Sequence, residues 1–223
     1  PAVKDVKNTS YLSDQVLDTM DLETRKYMAG DSKKQIHWKI SAKRGQLFSR
    51  KFTSNPREEM VIFMDLSPVQ ADELTSVIAE DQIIEGTLSI ANYCRKNNIG
   101  VRICYQQAGL KSIYIGSKTD FDYFYRLTCQ IHFNATVPVE KLLKDSQVYM
   151  ESSGFCIVIT HKITFELFKI MTGLAENGYE LSLLLICDAL GEEEEELIKS
   201  LKLSGILVKQ VTREDEIGEV LKA

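Results

Sequence analysis

From Met60 onward, short runs of β-branched and aliphatic residues alternate with longer stretches in which apolar residues return every three or four positions. That alternation predicts helices laid on a mostly parallel sheet, because a strand buried on both faces reads as a continuous apolar run and its parallel return needs a helical crossover. EMVIFMDLS reads as the first buried strand, ending in polar residues. DQIIEGTLSIANYCRKNN reads as a helix that turns Ile83, Ile84, Leu88, Ala91 and Cys94 to one side and closes at Asn97 and Asn98. IGVRICYQ and KSIYIGS follow as strands separated only by QAGL, too close for a crossover, so they are predicted to form an antiparallel hairpin. DFDYFYRLTCQI and PVEKLLKDSQVYM are helix-like, with Pro138 suited to a first turn. GFCIVIT, ITFELFKIMTGLAENG, YELSLLLICD, GEEEEELIKSLKLSG, ILVKQV and EDEIGEVL then alternate strand and helix to the end. The glutamate run reads as a solvated helix start that complements the dipole, with Gly205 as the stop. The expected fold class is therefore α/β: a doubly wound, mostly parallel sheet with one antiparallel edge hairpin.

At 223 residues, 44% hydrophobic and 26% charged, the chain is long enough for one core and a small appendage. The predicted division is an N-terminal extension over 1–58, packed on the core, and an α/β domain over 59–223. No apolar run approaches the ~20 residues of a membrane helix. The chain begins with Pro and shows no signal segment; membrane association is expected only through missing upstream segments, and the domain itself is expected to be cytoplasmic. Five cysteines, odd in number and without a C-x-x-C pair, are expected as small buried hydrophobes in a reducing compartment. Net charge is −5, yet Asp31 to Arg57 holds eight Lys/Arg against one acid, +7, which leaves −12 elsewhere. A basic segment so local is not a nucleic-acid footprint, and no nucleic-acid partner is expected.

In open α/β sheets chemistry gathers at the carboxyl ends of strands, where strand order reverses. The first strand ends MDLSPVQ, and Asp65 with a hydroxyl two residues on at Ser67 reads either as a turn and helix-capping pair or as part of a hard-cation site. This order of elements resembles the von Willebrand factor A-type domain, whose metal-ion-dependent adhesion site begins Asp-x-Ser-x-Ser. Asp65 and Ser67 match; Val69 replaces the second serine. In VITHK, His161 follows Thr160 where the family places an aspartate. Imidazole is a poor Mg²⁺ ligand, so the resemblance implies a degenerate site built on Asp65, Ser67 and Thr160, with Mg or Mn as its possible cofactor and Asp188, Thr136 or a partner's carboxylate as a completing ligand.

Upstream, Gly30-Asp31 makes a turn, Ile36 and Trp38 alternate with polar neighbours, and QLFSRKF alternates again. That reads as a clasp in which the single tryptophan packs. The stretch ETRKYMAGDSKKQIHWKISAKRGQLFSRKF also resembles the signature of the bacterial domain of unknown function 58 family: Glu23, Arg25, Tyr27, Gly30, Asp31, Lys34, Ile36, His37, Trp38, Lys39, Ser41, Ala42, Lys43 and Leu47 stand where that pattern wants them. Lys34, often arginine there, and Met28-Ala29, often holding a proline, depart from it. The resemblance implies a von Willebrand A-like domain following the motif, upstream membrane helices in many members, genetic association with MoxR-type AAA+ ATPases and an assembly or chaperone-like role. The basic residues Lys33, Lys34, Lys39, Lys43, Arg44, Arg50 and Lys51 read as a patch for an acidic partner or as solvated charges. His37, His132 and His161 have no zinc-like or catalytic spacing, and P-loop, nucleophile-elbow and H-E-x-x-H motifs are missing. Three functions follow in order: a non-enzymatic protein-interaction module, a divalent-cation-dependent ligand-binding domain, and an enzyme of unrecognised chemistry.

Overall fold

The computed structural model describes residues 22–26, 41, 45–52, 59–150, 153 and 155–220. The chain divides into two compact units, Pro1–Pro56 and Arg57–Ala223. In the first, β1 (Leu22–Lys26) and β2 (Phe48–Phe52) pair antiparallel with Glu23 opposite Lys51 and Arg25 opposite Ser49. Gly45 takes φ +64° just before β2, a backbone conformation that a side chain would strain.

The second unit carries the core. Its sheet runs in the order β5-β4-β3-β6-β7-β8, with β3 Glu59–Met64, β4 Gly100–Gln106, β5 Leu110–Ile115, β6 Phe155–Thr160, β7 Leu181–Ile186 and β8 Leu207–Val211. Every pairing is parallel except β4 with β5. The predicted edge hairpin is thus observed, and it turns through Ala108 at φ +49° and Gly109 at φ +116°. The helices are α1 Glu73–Lys96, α2 Lys118–Thr128, α3 Val139–Asp145, α4 Gln147–Met150, α5 Phe165–Glu176, α6 Glu192–Leu203 and α7 Ile217–Val220.

Because successive side chains on a strand face opposite ways, β3 feeds two cores. Val61 and Phe63 join Val158, Leu183 and Leu185 beneath Leu142, Leu167 and Leu201 of α3, α5 and α6. Ile62 and Met64 join Ile103, Ile159 and Leu184 beneath Ile83, Phe124 and Ile217 of α1, α2 and α7. All four β3 side chains are fully buried, each contributing roughly 1.5–3 kcal/mol.

Helix α1 begins at Glu73, well before the predicted start, because Asp72 caps it: the Asp72 carboxylate accepts the Thr75 N–H at 3.1 Å and the Thr75 hydroxyl at 2.7 Å. Its buried stripe also differs. Ile84 and Leu88 are only half-buried, while Gln82, Gly86 and Thr87 face the sheet. Close approach decides this, since a Cβ at Gly86 would lie 3.1 Å from Leu184 Cδ2 and the small residue lets α1 settle onto β7. The predicted helix over 138–150 is two helices divided at Ser146, and Pro138 is the residue before the first turn, not in it. Gly178 (φ +89°) and Gly205 (φ +82°) follow α5 and α6 as expected. Cys94, Cys104 and Cys156 are buried and Cys187 half-buried, and burial pushes all four thiols up to about 11. Cys129 is a correction: it follows α2 on the exposed side. Among the described residues no helix is long and apolar enough to cross a membrane.

Candidate functional site

The chain leaves β3, passes through α1 to β4 on one side, and later returns to β6 on the other, so strand order reverses between β3 and β6. At that switch point the Asp65 N–H donates to the Ile159 carbonyl at 2.9 Å, which carries the β3–β6 pairing one residue past the strand and fixes where the aspartate emerges. Its side chain is 2% exposed. Oδ1 accepts the Ser67 N–H at 2.9 Å, a local Asx turn, and Oδ2 accepts the Thr160 hydroxyl at 2.7 Å. Both oxygens therefore have protein donors. A third loop joins them, because the Ala135 N–H donates to the Leu66 carbonyl at 2.9 Å and brings the neighbouring, exposed Thr136 to the same rim.

His161 follows Thr160, and its Nδ1 lies 3.9 Å from Asp65 Oδ2. The imidazole is 8% exposed, and burial holds its pKa below the usual value; the Asp65 charge opposes that, and Lys162 adds to it. Among the described residues neither His161 Nδ1 nor the buried Ser67 hydroxyl has a hydrogen-bond partner. These two atoms, the Asp65 carboxylate and the Thr160 hydroxyl, with the exposed Thr136 at the rim, are the potential ligands the described residues bring to the switch point.

Such a set does not fit Mg²⁺ or Mn²⁺. A hard cation wants several oxygen ligands, whereas here the single carboxylate is engaged on both oxygens and the residue in the position of a second one is an imidazole. Asp188 brings no further carboxylate to the set: its Oδ1 accepts the Arg213 N–H at 2.8 Å and its Oδ2 lies 3.4 Å from Arg213 Nε. Among the described residues no three His, Cys, Asp or Glu side chains gather in a metal-holding group.

Beside the switch point lies a cleft of about 450 Å³ between the start of α1 and the loops after β6 and β7. His161 and Lys162 form one side, Asp188 and Arg213 another, and Pro68, Val69, Ile78 and Ile186 make apolar walls. Two residues here were not singled out from sequence, Lys162 and Arg213, and a third is Glu140 on α3. Glu140 is 7% exposed, its Oε1 accepts the Thr164 hydroxyl, and its Oε2 is buried without a partner.

Of the upstream motif, Ser41 is helical and 6% exposed. Gly30, Asp31, Ile36, His37, Trp38, Lys39, Ala42 and Lys43 lie outside the described residues, as do Lys33, Lys34 and Arg44 of the basic patch. Arg50 and Lys51 stand on β2.

A mostly parallel six-stranded sheet with one antiparallel edge, helices on both faces and three loops meeting at the switch point defines a von Willebrand A-like α/β domain. The chain is similar to the SpRpn10 VWA domain (TM-score 0.50, 6% identity, 74% of this chain and 93% of that one). It is also similar to the pilus adhesin SpaC from Lactobacillus rhamnosus GG (TM-score 0.50, 9% identity, 73% of this chain and 29% of that one). BatB from Bacteroides thetaiotaomicron, a conserved hypothetical protein, aligns with a TM-score of 0.45 at 13% identity over 74% of this chain and 98% of that one. At these identities the likeness shows the fold alone. Residues 23–128, from the upstream motif through α2 and so into the von Willebrand A-like fold, match the model of the protein of unknown function DUF58. No curated protein matches the chain.

Proposed function

We propose that this chain is a non-enzymatic protein-interaction module of a bacterial, membrane-associated protein, working with a MoxR-type AAA+ ATPase in assembly or chaperone-like processes. The observation that carries the reading is the surround of the switch point. Leu74 and Val77 on the first turns of α1, and Phe165 at the start of α5, are 68%, 50% and 68% exposed. Large apolar groups held out at a rim where loops converge are what a protein partner covers. The Asp65 carboxylate, committed to Ser67 and Thr160, supports a presenting role over a reactive one. The likeness to a pilus adhesin adds only that this fold occurs in a protein named for adhesion.

The test is retention of a purified MoxR-type ATPase on the immobilised full chain, with and without ATP. Wild-type chain is expected to retain the ATPase, and Leu74→Asp/Phe165→Asp to lose it. Equal retention by both, or by neither, overturns the proposal.

A further inference from the structure

We infer that the cleft beside the switch point is a metal-independent pocket for an acidic side chain flanked by aliphatic ones on a protein partner. It deepens the interaction reading and rests on it. At about 450 Å³ the cleft lies within the size range of ligand sites, and its walls combine the apolar Pro68, Val69, Ile78 and Ile186 with a few polar groups.

Its charges point to one sign of ligand. Lys162 lines it and makes no ion pair among the described residues. Arg213 is held in place by Asp188, which that contact occupies. His161, more than nine-tenths buried, also lines the cleft, its Nδ1 buried 3.9 Å from Asp65 Oδ2 and so not itself offered to a ligand. The Cys187 thiol is neutral, and Asp188 is the one carboxylate among the lining residues. In a chain of net charge −5 the lining thus carries two cations against one carboxylate, and that carboxylate is already engaged by Arg213. The start of α1 is not the anion's seat, because Asp72 already caps it.

The walls are also fixed in advance. Gln82 Nε2 donates to the Thr212 carbonyl at 2.8 Å, tying α1 to the loop that carries Arg213, and Gln210 Nε2 donates to the Cys187 carbonyl at 3.0 Å. A pocket already in shape loses less freedom on binding. Its apolar walls select a carboxylate with aliphatic neighbours over a free inorganic anion.

The experiment is an amide-resolved NMR titration of the full chain, in EDTA, with acetyl-Leu-Asp-Leu-amide, acetyl-Leu-Asn-Leu-amide and inorganic phosphate. Saturable shifts at Val69, Ala79, Lys162 and Ala189 are expected for the aspartyl peptide alone. Lys162→Glu should weaken that binding about tenfold or more, since a favourable charge becomes a like-charge clash, and Arg213→Gln should weaken it less. The pocket is overturned by no saturable shift, by equal binding of the asparaginyl peptide or of phosphate, or by an unchanged affinity in Lys162→Glu. Peptide binding without ATPase retention would leave the pocket standing and remove the ATPase; retention lost on Leu74→Asp/Phe165→Asp without peptide binding would do the reverse.

Discussion

Asp65 and Glu140 are both buried carboxylates, and both take a hydroxyl from the stretch that links β6 to α5, Asp65 from Thr160 at the end of the strand and Glu140 from Thr164 at the helix cap. They differ in what remains. Asp65 has a donor on each oxygen, whereas Glu140 Oε2 is buried with none. A buried charge costs several kcal/mol unless hydrogen bonds replace its water. Asp65 is therefore an organising group, on which two loops depend, while Glu140 is a group the fold tolerates. The same short stretch of chain thus gives each carboxylate one hydroxyl, and only Asp65 gains a second donor, from Ser67.

The largest effect separating the two should come from Asp65→Ala. It leaves the Ser67 N–H without its acceptor and the Thr160 hydroxyl with only the Lys162 carbonyl at 3.1 Å, and opens a gap where two loops meet, at about 3 kcal/mol in urea unfolding at neutral pH. Glu140→Met should cost about 1 kcal/mol or less, because an apolar side chain of similar size relieves a half-satisfied charge; equal losses would erase the distinction. Thr164→Val falls between them at about 2 kcal/mol, since that hydroxyl both caps α5, accepting the Leu167 N–H at 3.0 Å, and donates to Glu140.

A pH experiment sharpens the Asp65 side. Burial lowers the pKa of His161 in the fold below its ordinary 6.5, so the unfolded chain binds the proton more tightly. The neutral imidazole's contribution to stability is complete above that value and is lost as the pH falls below it. The unfolding midpoint of the wild type should drop between about pH 7 and pH 5 more than that of His161→Asn; parallel curves would mean the imidazole is not held neutral. Smallest of all is the expected response to Mg²⁺ or Mn²⁺. Calorimetric titration of metal-stripped chain should give no saturable heat, in the wild type or in Asp65→Ala. Saturable heat abolished by the substitution would show that Asp65 can release its protein donors to a cation.

Much of this arrangement is legible in the sequence wherever it depends on period or on nearby residues. The short link at Gln107 to Gly109 required a hairpin, and MDLS and VIT carried Asp65 and Thr160 to the ends of neighbouring strands, where they meet. The misread parts depend on distant contacts. Gly86 and Thr87 face the sheet because Leu184 leaves room only for a small residue, which no helical pattern announces. Glu140, Lys162 and Arg213 look like ordinary surface charges until α3, the loop after β6 and the loop after β8 close around them.

Sequence alone determined the class of fold and the edge hairpin, because alternation of hydrophobicity and loop length act within a few residues; that Asp65 and Thr160 share a site was implied by the resemblance to the von Willebrand A-type domain. Tertiary structure decided that Asp65 is satisfied by protein groups, that His161 is buried beside it, and that a cleft lined by Lys162 and Arg213 opens next to them. Each of those depends on burial and on hydrogen bonds between residues far apart in the chain, and burial is a property of the assembled layers, not of any one segment.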